Sequence, residues 1–421
     1  MSARNLESAV MIADAGARER VARIADGLAA AAAVSLPWST SATSILIVLW
    51  LIALVPTLDA ASVRREVLSP AGALPLLLWG LGVAGMLWAD VSLKERLSGL
   101  SGFHKLLLIP LLLAQFRRSG RAHWVFLGFL GSAGLLLVVS WMLFLTPGLT
   151  WRGARGSAGV PVKDYIFQSS VFAICAFGLV GWAAELWRER ARLALGLALL
   201  AAAFIANIVY VATARTTLIV MAVLLLLLGL RQLRWKGALG AALVGGVLAG
   251  GAWTSSSYLR ERVSVAIEQV QSHGTGDVNT SVGLRFEYWR KSLGFTAEAP
   301  VAGHGTGTIP MLFRRDATAQ TIPDLLTTNP HNQVLTVAIQ LGLIGAVVLV
   351  AMWVAHLALF RGGTLVAWFG LTVVVQNVVG SLFNSYLFDF GQGWLYVLGV
   401  GIAGGMVLRN TPVAVKAPDQ P

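Results

Sequence analysis

Cysteine is nearly absent. Cys175 is alone in 421 residues, so a disulfide framework and a cysteine-rich metal site are both excluded. Charge is scarce as well: Asp, Glu, Lys and Arg make up 12% of the chain, where soluble domains carry about 25%. No HExxH segment and no Asp-rich pair is present, which removes the common sequence signatures of metal-dependent catalysis. A cleavable signal peptide is not expected either, because residues 1–20 are polar and mixed in charge.

What is abundant is apolar sequence. Hydrophobic residues account for 56% of the chain, and mean hydropathy is +0.72. Such a composition describes a polytopic membrane protein whose main solvent is lipid. The net charge of +12 does not point to nucleic acid, because the basic residues lie mostly in short segments between apolar runs.

Apolar runs predict about twelve spans. They fall near 21–37, 41–58, 71–89, 103–117, 122–147, 166–187, 193–213, 216–231, 237–254, 332–359, 364–384 and 390–408, with the fourth short enough to be partly re-entrant. With the N-terminus inside, the inside loops hold Arg64 and Arg65, then Arg117, Arg118 and Arg121, then Arg188, Arg190 and Arg192, then Arg231, Arg234 and Lys236. Arg361, Arg409 and Lys416 complete the set. Positive charge on every inside loop supports an even number of spans and cytoplasmic termini. The expected fold class is therefore an all-α polytopic membrane protein with a large outside loop containing amphipathic helices. Residues 1–254 form an N-terminal bundle of about nine spans, 255–331 the loop, 332–408 about three further spans, and 409–421 a cytoplasmic tail.

The outside segments carry positive charge of their own. The long loop has Arg260, Arg262, Arg285, Arg290, Lys291, Arg314 and Arg315, and the segment near 148–165 adds Arg152, Arg155 and Lys163. Long translocated segments tolerate this, yet the excess suits a polyanion such as a pyrophosphate. No carboxylate cluster balances it. Amphipathic helices are expected over Tyr258–Val270 and Val282–Leu293, and Gly303-His304-Gly305-Thr306-Gly307-Thr308 reads as a glycine-rich turn. Its N–H groups suit phosphate, although no P-loop lysine follows.

Two positions stand out chemically. His331, in Thr328-Asn329-Pro330-His331-Asn332, sits where water meets lipid at the start of a span, with Asn332 adjacent to orient its ring. Arg215 is the one charged residue in 193–230. As a straight helix that stretch would run about 57 Å against a hydrocarbon core of ~30 Å, so the chain must turn around Val211–Thr217. An arginine there either snorkels and caps the turn or faces the bundle interior as an anion ligand. Arg285 on the second loop helix is either solvated and paired with Glu287 or Glu261, or a second such ligand. His304 is a weaker candidate, and His104, His123, His273 and His356 have no supporting pattern. Lys163, Asp164 and Gln168, with Asn384, Tyr386 and Asp389 between the last two spans, lie on the same side as polar residues that could line a sugar or phosphate path.

These residues resemble the O-antigen ligase and O-antigen polymerase superfamily of bacterial envelope membrane proteins. The likeness rests on the topology and on Pro330-His331-Asn332-Gln333-Val334-Leu335 followed by Gly342 and Gly345. It rests also on Ser281, Arg285 and Trp289 on one helix, on Pro300, Gly303, Gly305 and Gly307 in one turn, and on Arg215 after a helix break. The resemblance implies a metal-independent, inverting glycosyltransferase of the bacterial inner membrane with its active site at the periplasmic face and no cofactor. It implies a glycan on undecaprenyl pyrophosphate as donor and, for a ligase, a sugar hydroxyl of lipid A–core oligosaccharide as acceptor, with membrane lipids around it. His331 then becomes the general base, and Arg215 and Arg285 the pyrophosphate ligands. Asn332, Gly303, Gly305, Lys163, Gln168 and Asp389 are lesser candidates.

An O-antigen polymerase and a protein O-oligosaccharyltransferase share that donor and remain alternatives. A lipid or polyanion transporter is the alternative of another class. Transporters often show internal repeats and ionisable residues near the midplane; here no repeat is visible and the candidates gather at one face.

Overall fold

The structure is a computed structural model that describes residues 3–146, 148–149, 158–273, 280–317 and 323–410. Arg152, Arg155 and the tail beyond Asn410 lie outside the described residues. Among those described, every regular element is helical: long runs of Leu and Ala favour this, and in lipid even β-branched stretches such as Thr372-Val373-Val374-Val375 must satisfy their backbone within the helix. In chain order they are α1 (Ala3–Ser35), α2 (Thr40–Leu54), α3 (Ala60–Leu68), α4 (Pro70–Ala84), α5 (Leu93–Leu100), α6 (Leu108–Arg118), α7 (Ala122–Leu145) and α8 (Tyr165–Leu186). There follow α9 (Ala191–Tyr210), α10 (Arg215–Ser255), α11 (Ser257–His273), α12 (Ser281–Glu298), α13 (Ile309–Arg315), α14 (Gln333–Leu359), α15 (Leu365–Ser381) and α16 (Phe390–Asn410). Polar side chains start several of them: Ser39, Asp164, Thr280 and Thr364 each accept an N–H from the first turn that follows.

Seven of these helices are long and apolar enough to cross a membrane, or up to nine if the bent pairs α3–α4 and α5–α6 each count as one span. The expected twelve is not reached, for identifiable reasons. The first expected span belongs to a longer helix, α1, which carries Arg18, Glu19, Arg20, Arg23 and Asp26 and is too polar to qualify. Helix α15 is apolar but only 17 residues long. Helix α10 is two helical segments that meet at Leu233 and Arg234, where the backbone leaves the helical region (Arg234 has φ 53°) and the chain doubles back. A Cβ placed on Gly229 would lie 2.3 Å from the Gly237 carbonyl oxygen, so the two halves press backbone to backbone. They stand where two spans, 216–231 and 237–254, are expected. The loop helices α11 and α12 likewise cover the two expected amphipathic segments.

Helices α8 and α16 form the centre of the bundle, buried along most of their length. Helix α16 packs on α6 through Gly401 and Gly405, where an added Cβ would strike Leu112 and Phe116; small residues four apart let apolar helices approach closely. Outward-facing Ile45, Ile52, Leu243 and Val247 are exposed, as a lipid-facing surface requires. One end of the bundle is braced by arginines. Arg117 pairs with buried Glu66, Arg118 with Asp59, Arg121 with Asp26, and Arg231 caps the carbonyls of Gly362 and Thr364 at 3.1 and 2.8 Å. The other end holds the candidate site.

Helix α14 is broken where the glycine-rich turn enters it. Gly342 has φ 63° and ψ −162°, a conformation essentially restricted to glycine. The freed carbonyls of Ile339 and Gln340 accept the N–H groups of His304 and Gly305, both at 2.9 Å, and the Leu343 N–H donates to Pro300 at 2.8 Å. A Cβ on Gly342 would meet the Val301 carbonyl at 2.2 Å. Gly342→Ala should therefore cost about 1–3 kcal/mol from backbone strain alone, with displacement of the 300–307 turn added. A lowered unfolding midpoint in detergent checks this, beside Gly294→Ala on α12, where a Cβ meets nothing within 4 Å and no loss is expected.

Candidate functional site

His331 closes a turn rather than standing in a helix. Its φ is 55°, a region in which histidine is tolerated better than most side chains. The Asn329 side chain holds that geometry: its Oδ1 accepts the His331 N–H at 2.9 Å and the Ser385 hydroxyl at 2.7 Å. Asn332 begins α14 as its N-cap, with Oδ1 accepting the Leu335 N–H at 3.1 Å and Nδ2 donating to Leu382 O at 3.1 Å. Asn332 was the expected partner of the imidazole. It is engaged with backbone instead, and Asn384, from the α15–α16 turn, meets His331 Nδ1 at 2.9 Å. The ring of Tyr288 lies against the imidazole with centroids 5.8 Å apart and planes within 22°. Burial holds the His331 pKa below the ordinary histidine value, the hydrogen bond to Asn384 opposes this, and the charge of Arg285 lowers it further. The ring is therefore neutral at pH 7, and Nε2 makes no hydrogen bond among the described residues.

Arg285 lies one turn into α12, half-buried. The expected pairing with Glu287 does not occur, because Glu287 binds Arg290 at 2.5 and 2.8 Å. No carboxylate or carbonyl pairs with Arg285 among the described residues. Burial lowers its pKa, while Tyr165 and Tyr386 act on it in the opposite sense.

Arg215 is the first residue of α10, after a break in which the Val211 and Ala212 N–H groups both donate to Asn207 O. Its Nε donates to Arg262 O and its Nη1 to Gln269 Oε1, each at 3.2 Å, and Ser281 donates to the same Gln269 oxygen at 3.1 Å. The start of α10 is thereby tied to α11 and to the N-terminus of α12, which carries Arg285. The charges of Arg262 and Arg285 both act on Arg215. Arg262 itself lies over the rings of Tyr165 and Tyr258, at 4.8 and 5.8 Å, with its Nε buried and unpaired. Arg215 thus lies within electrostatic reach of both Arg262 and Arg285, Arg285 acts in turn on His331, and none of the three guanidinium groups forms an ion pair among the described residues. Such a cluster has the charge and the N–H donors that an anion requires.

The other expected residues have different tasks. The N–H groups of Gly303 and Gly305 are occupied by Ala299 O and Gln340 O, and that of Gly307 by Gln340 Oε1, so the turn seats itself in α14 rather than presenting donors to a phosphate. Gln168 braces α7, α8 and α9 through Ser140, Gly159 and Asn207. Lys163 donates to Leu36 O and lies over Phe167, and burial pushes its pKa down to about 8. Asp389 stands behind Asn384, whose Nδ2 donates to its carboxylate at 3.1 Å. His304 donates to or accepts from the backbone near Phe295, and His356 is enclosed by Tyr396 and Ala71 O. Among the described residues, no group of three or more His, Cys, Asp or Glu side chains could hold a metal ion.

Residues 197–350 match the family described as O-antigen ligase. The matched stretch contains Arg215, Arg262, Arg285, His331 and Gly342, and ends before Asn384 and Asp389. No curated protein matches the chain.

The electrostatic link between Arg285 and His331 has a measurable consequence. In a histidine NMR titration, His331 should titrate below 6.5, and in Arg285→Gln its pKa should rise. An unchanged or lowered pKa in that variant would contradict the arrangement.

Proposed function

From the match of residues 197–350 to the O-antigen ligase family, we propose that this protein is an O-antigen ligase. It moves a glycan from undecaprenyl pyrophosphate to a sugar hydroxyl of lipid A–core oligosaccharide at the periplasmic face of the inner membrane, without a metal. The observation that carries this reading is the neutral imidazole of His331, with Nε2 unengaged, beside guanidinium groups that have no counter-charge.

The roles follow from what each group can do. A sugar hydroxyl is a weak nucleophile, and a neutral imidazole within reach takes its proton as the new bond forms. The acceptor oxygen bonds to the anomeric carbon of the glycan, and the bond from that carbon to the pyrophosphate oxygen breaks. The electron pair leaves with undecaprenyl pyrophosphate, and the proton goes to His331 Nε2. Negative charge grows on the pyrophosphate as this happens. Arg285, with no other partner, meets it with a fork of N–H donors, and Arg215 and Arg262 add charge from α10 and α11. Attack opposite the leaving group inverts the anomeric centre.

The test is reconstitution of purified protein with undecaprenyl-pyrophosphate glycan, with and without lipid A–core. Transfer to lipid A–core, retained in EDTA and reduced on the order of 10²–10⁴-fold in His331→Ala, is the expected result. Its rate should fall as pH drops through the depressed His331 pKa, because protonation removes the base. Arg285→Lys should also lose most activity, since lysine keeps the charge but not the fork. Longer lipid-linked chains made without the acceptor would identify a polymerase instead. Transfer to protein would identify an oligosaccharyltransferase, and full activity in His331→Ala would favour a transporter or a different base.

A further inference from the structure

We propose that Asn384 is a positioning residue for the His331 base, locked in that task by Asp389; the inference rests on the function proposed above.

The geometry fixes which atoms carry protons. Asn384 Nδ2 lies 3.1 Å from the Asp389 carboxylate, which can only accept when ionised. Asn384 Oδ1 therefore faces the other way, where it receives the Ser385 N–H at 2.9 Å and the Asn329 Nδ2 at 3.2 Å. A flipped amide would set an NH2 group against both donors and an oxygen against the carboxylate. With Oδ1 so placed, His331 Nδ1 at 2.9 Å must be the protonated nitrogen, and Nε2 keeps its lone pair. The imidazole is thus held as the tautomer a general base needs, with the ring plane set by Tyr288 on one side.

The segment carrying Asn384 is clamped from beneath. Lys105, buried in the bundle, donates to the carbonyls of Leu387, Phe388 and Asp389 at 3.2, 3.0 and 2.8 Å. Gln333 Oε1 accepts the N–H groups of Leu387 and Phe388 from the first turn of α14. The same helix start therefore anchors His331 and the turn that orients it. Burial pushes the Asp389 pKa up to about 6, Lys105 opposing this and Asp164 adding to it, so at pH 7 the carboxylate is mostly ionised and accepts from Asn384. The arrangement is a base, a neutral amide and a carboxylate in series. It transmits orientation without requiring a proton to move beyond His331.

The experiment uses the full-length protein in nanodiscs, with ¹⁵N-histidine spectra read at a pH where His331 is neutral. Wild type should show Nδ1–H at His331. Asn384→Ala should lose that single tautomer and lower kcat by about 100-fold with little change in donor KM. Asn384→Asp alone would set a second carboxylate against Asp389, so the rescue is the double variant Asn384→Asp with Asp389→Asn, which exchanges donor and acceptor, keeps an acceptor facing Nδ1, and should restore the tautomer and most of kcat. Binding of undecaprenyl pyrophosphate by each variant checks that it is folded. An unchanged tautomer and kcat in Asn384→Ala would overturn the proposal, as would a loss confined to KM. The spectra need no substrate, so they decide the positioning role even where wild type transfers no glycan, a result that would instead overturn the function.

Discussion

A chain in lipid must satisfy its own backbone, because the solvent offers no hydrogen bonds. Several breaks between and within the described helices are matched by a group that answers them. The 300–307 turn donates into the gap at Gly342, Lys105 takes the three carbonyls of the α15–α16 turn, and Arg231 takes those beyond α14. Arg96 does the same for Met86 and Val91. Cations are thus engaged wherever structure requires them, which makes the exceptions informative. Arg285 is engaged by nothing among the described residues, and Arg262 keeps a buried Nε unpaired.

That contrast separates two kinds of arginine in one protein. At one end, Arg117, Arg118 and Arg121 are neutralised by Glu66, Asp59 and Asp26, and they hold helices together. At the other end, Arg215 lies close enough to Arg262 and Arg285 to feel both charges, and Arg262 rests over the rings of Tyr165 and Tyr258. Like charges brought together in a half-buried place raise the free energy of the empty site, and an anion of high charge density relieves it. Burial holds His331 neutral and the charge of Arg285 adds to this, so an anion that neutralised Arg285 would also raise the basicity of the imidazole.

Much of this was legible in the sequence. The turn between α9 and α10 followed from length alone, since 193–230 could not cross lipid as one rod. The order of basic segments brought His331, Arg215 and Arg285 to one side before any coordinates. The span count was less legible: the charges in α1 and the shortness of α15 make hydropathy an uneven guide. The glycine-rich turn was misread as a phosphate cradle because sequence cannot reveal that Gly342 opens a helix to receive it. Asn384 was visible only as a polar residue near the site, for its contact with His331 joins segments 53 positions apart. Arg262 was one of several loop arginines, and only its tyrosine neighbours set it apart.

The central claim is that the unpaired guanidinium cluster is a pyrophosphate site. The most direct measurement compares the affinity of the purified protein for undecaprenyl pyrophosphate and undecaprenyl monophosphate, in wild type and in Arg285→Gln. The account predicts clear preference for the pyrophosphate in wild type, falling with salt, and loss of most of that preference in the variant. Equal affinity for the two lipids, or a preference that survives the substitution, would contradict it.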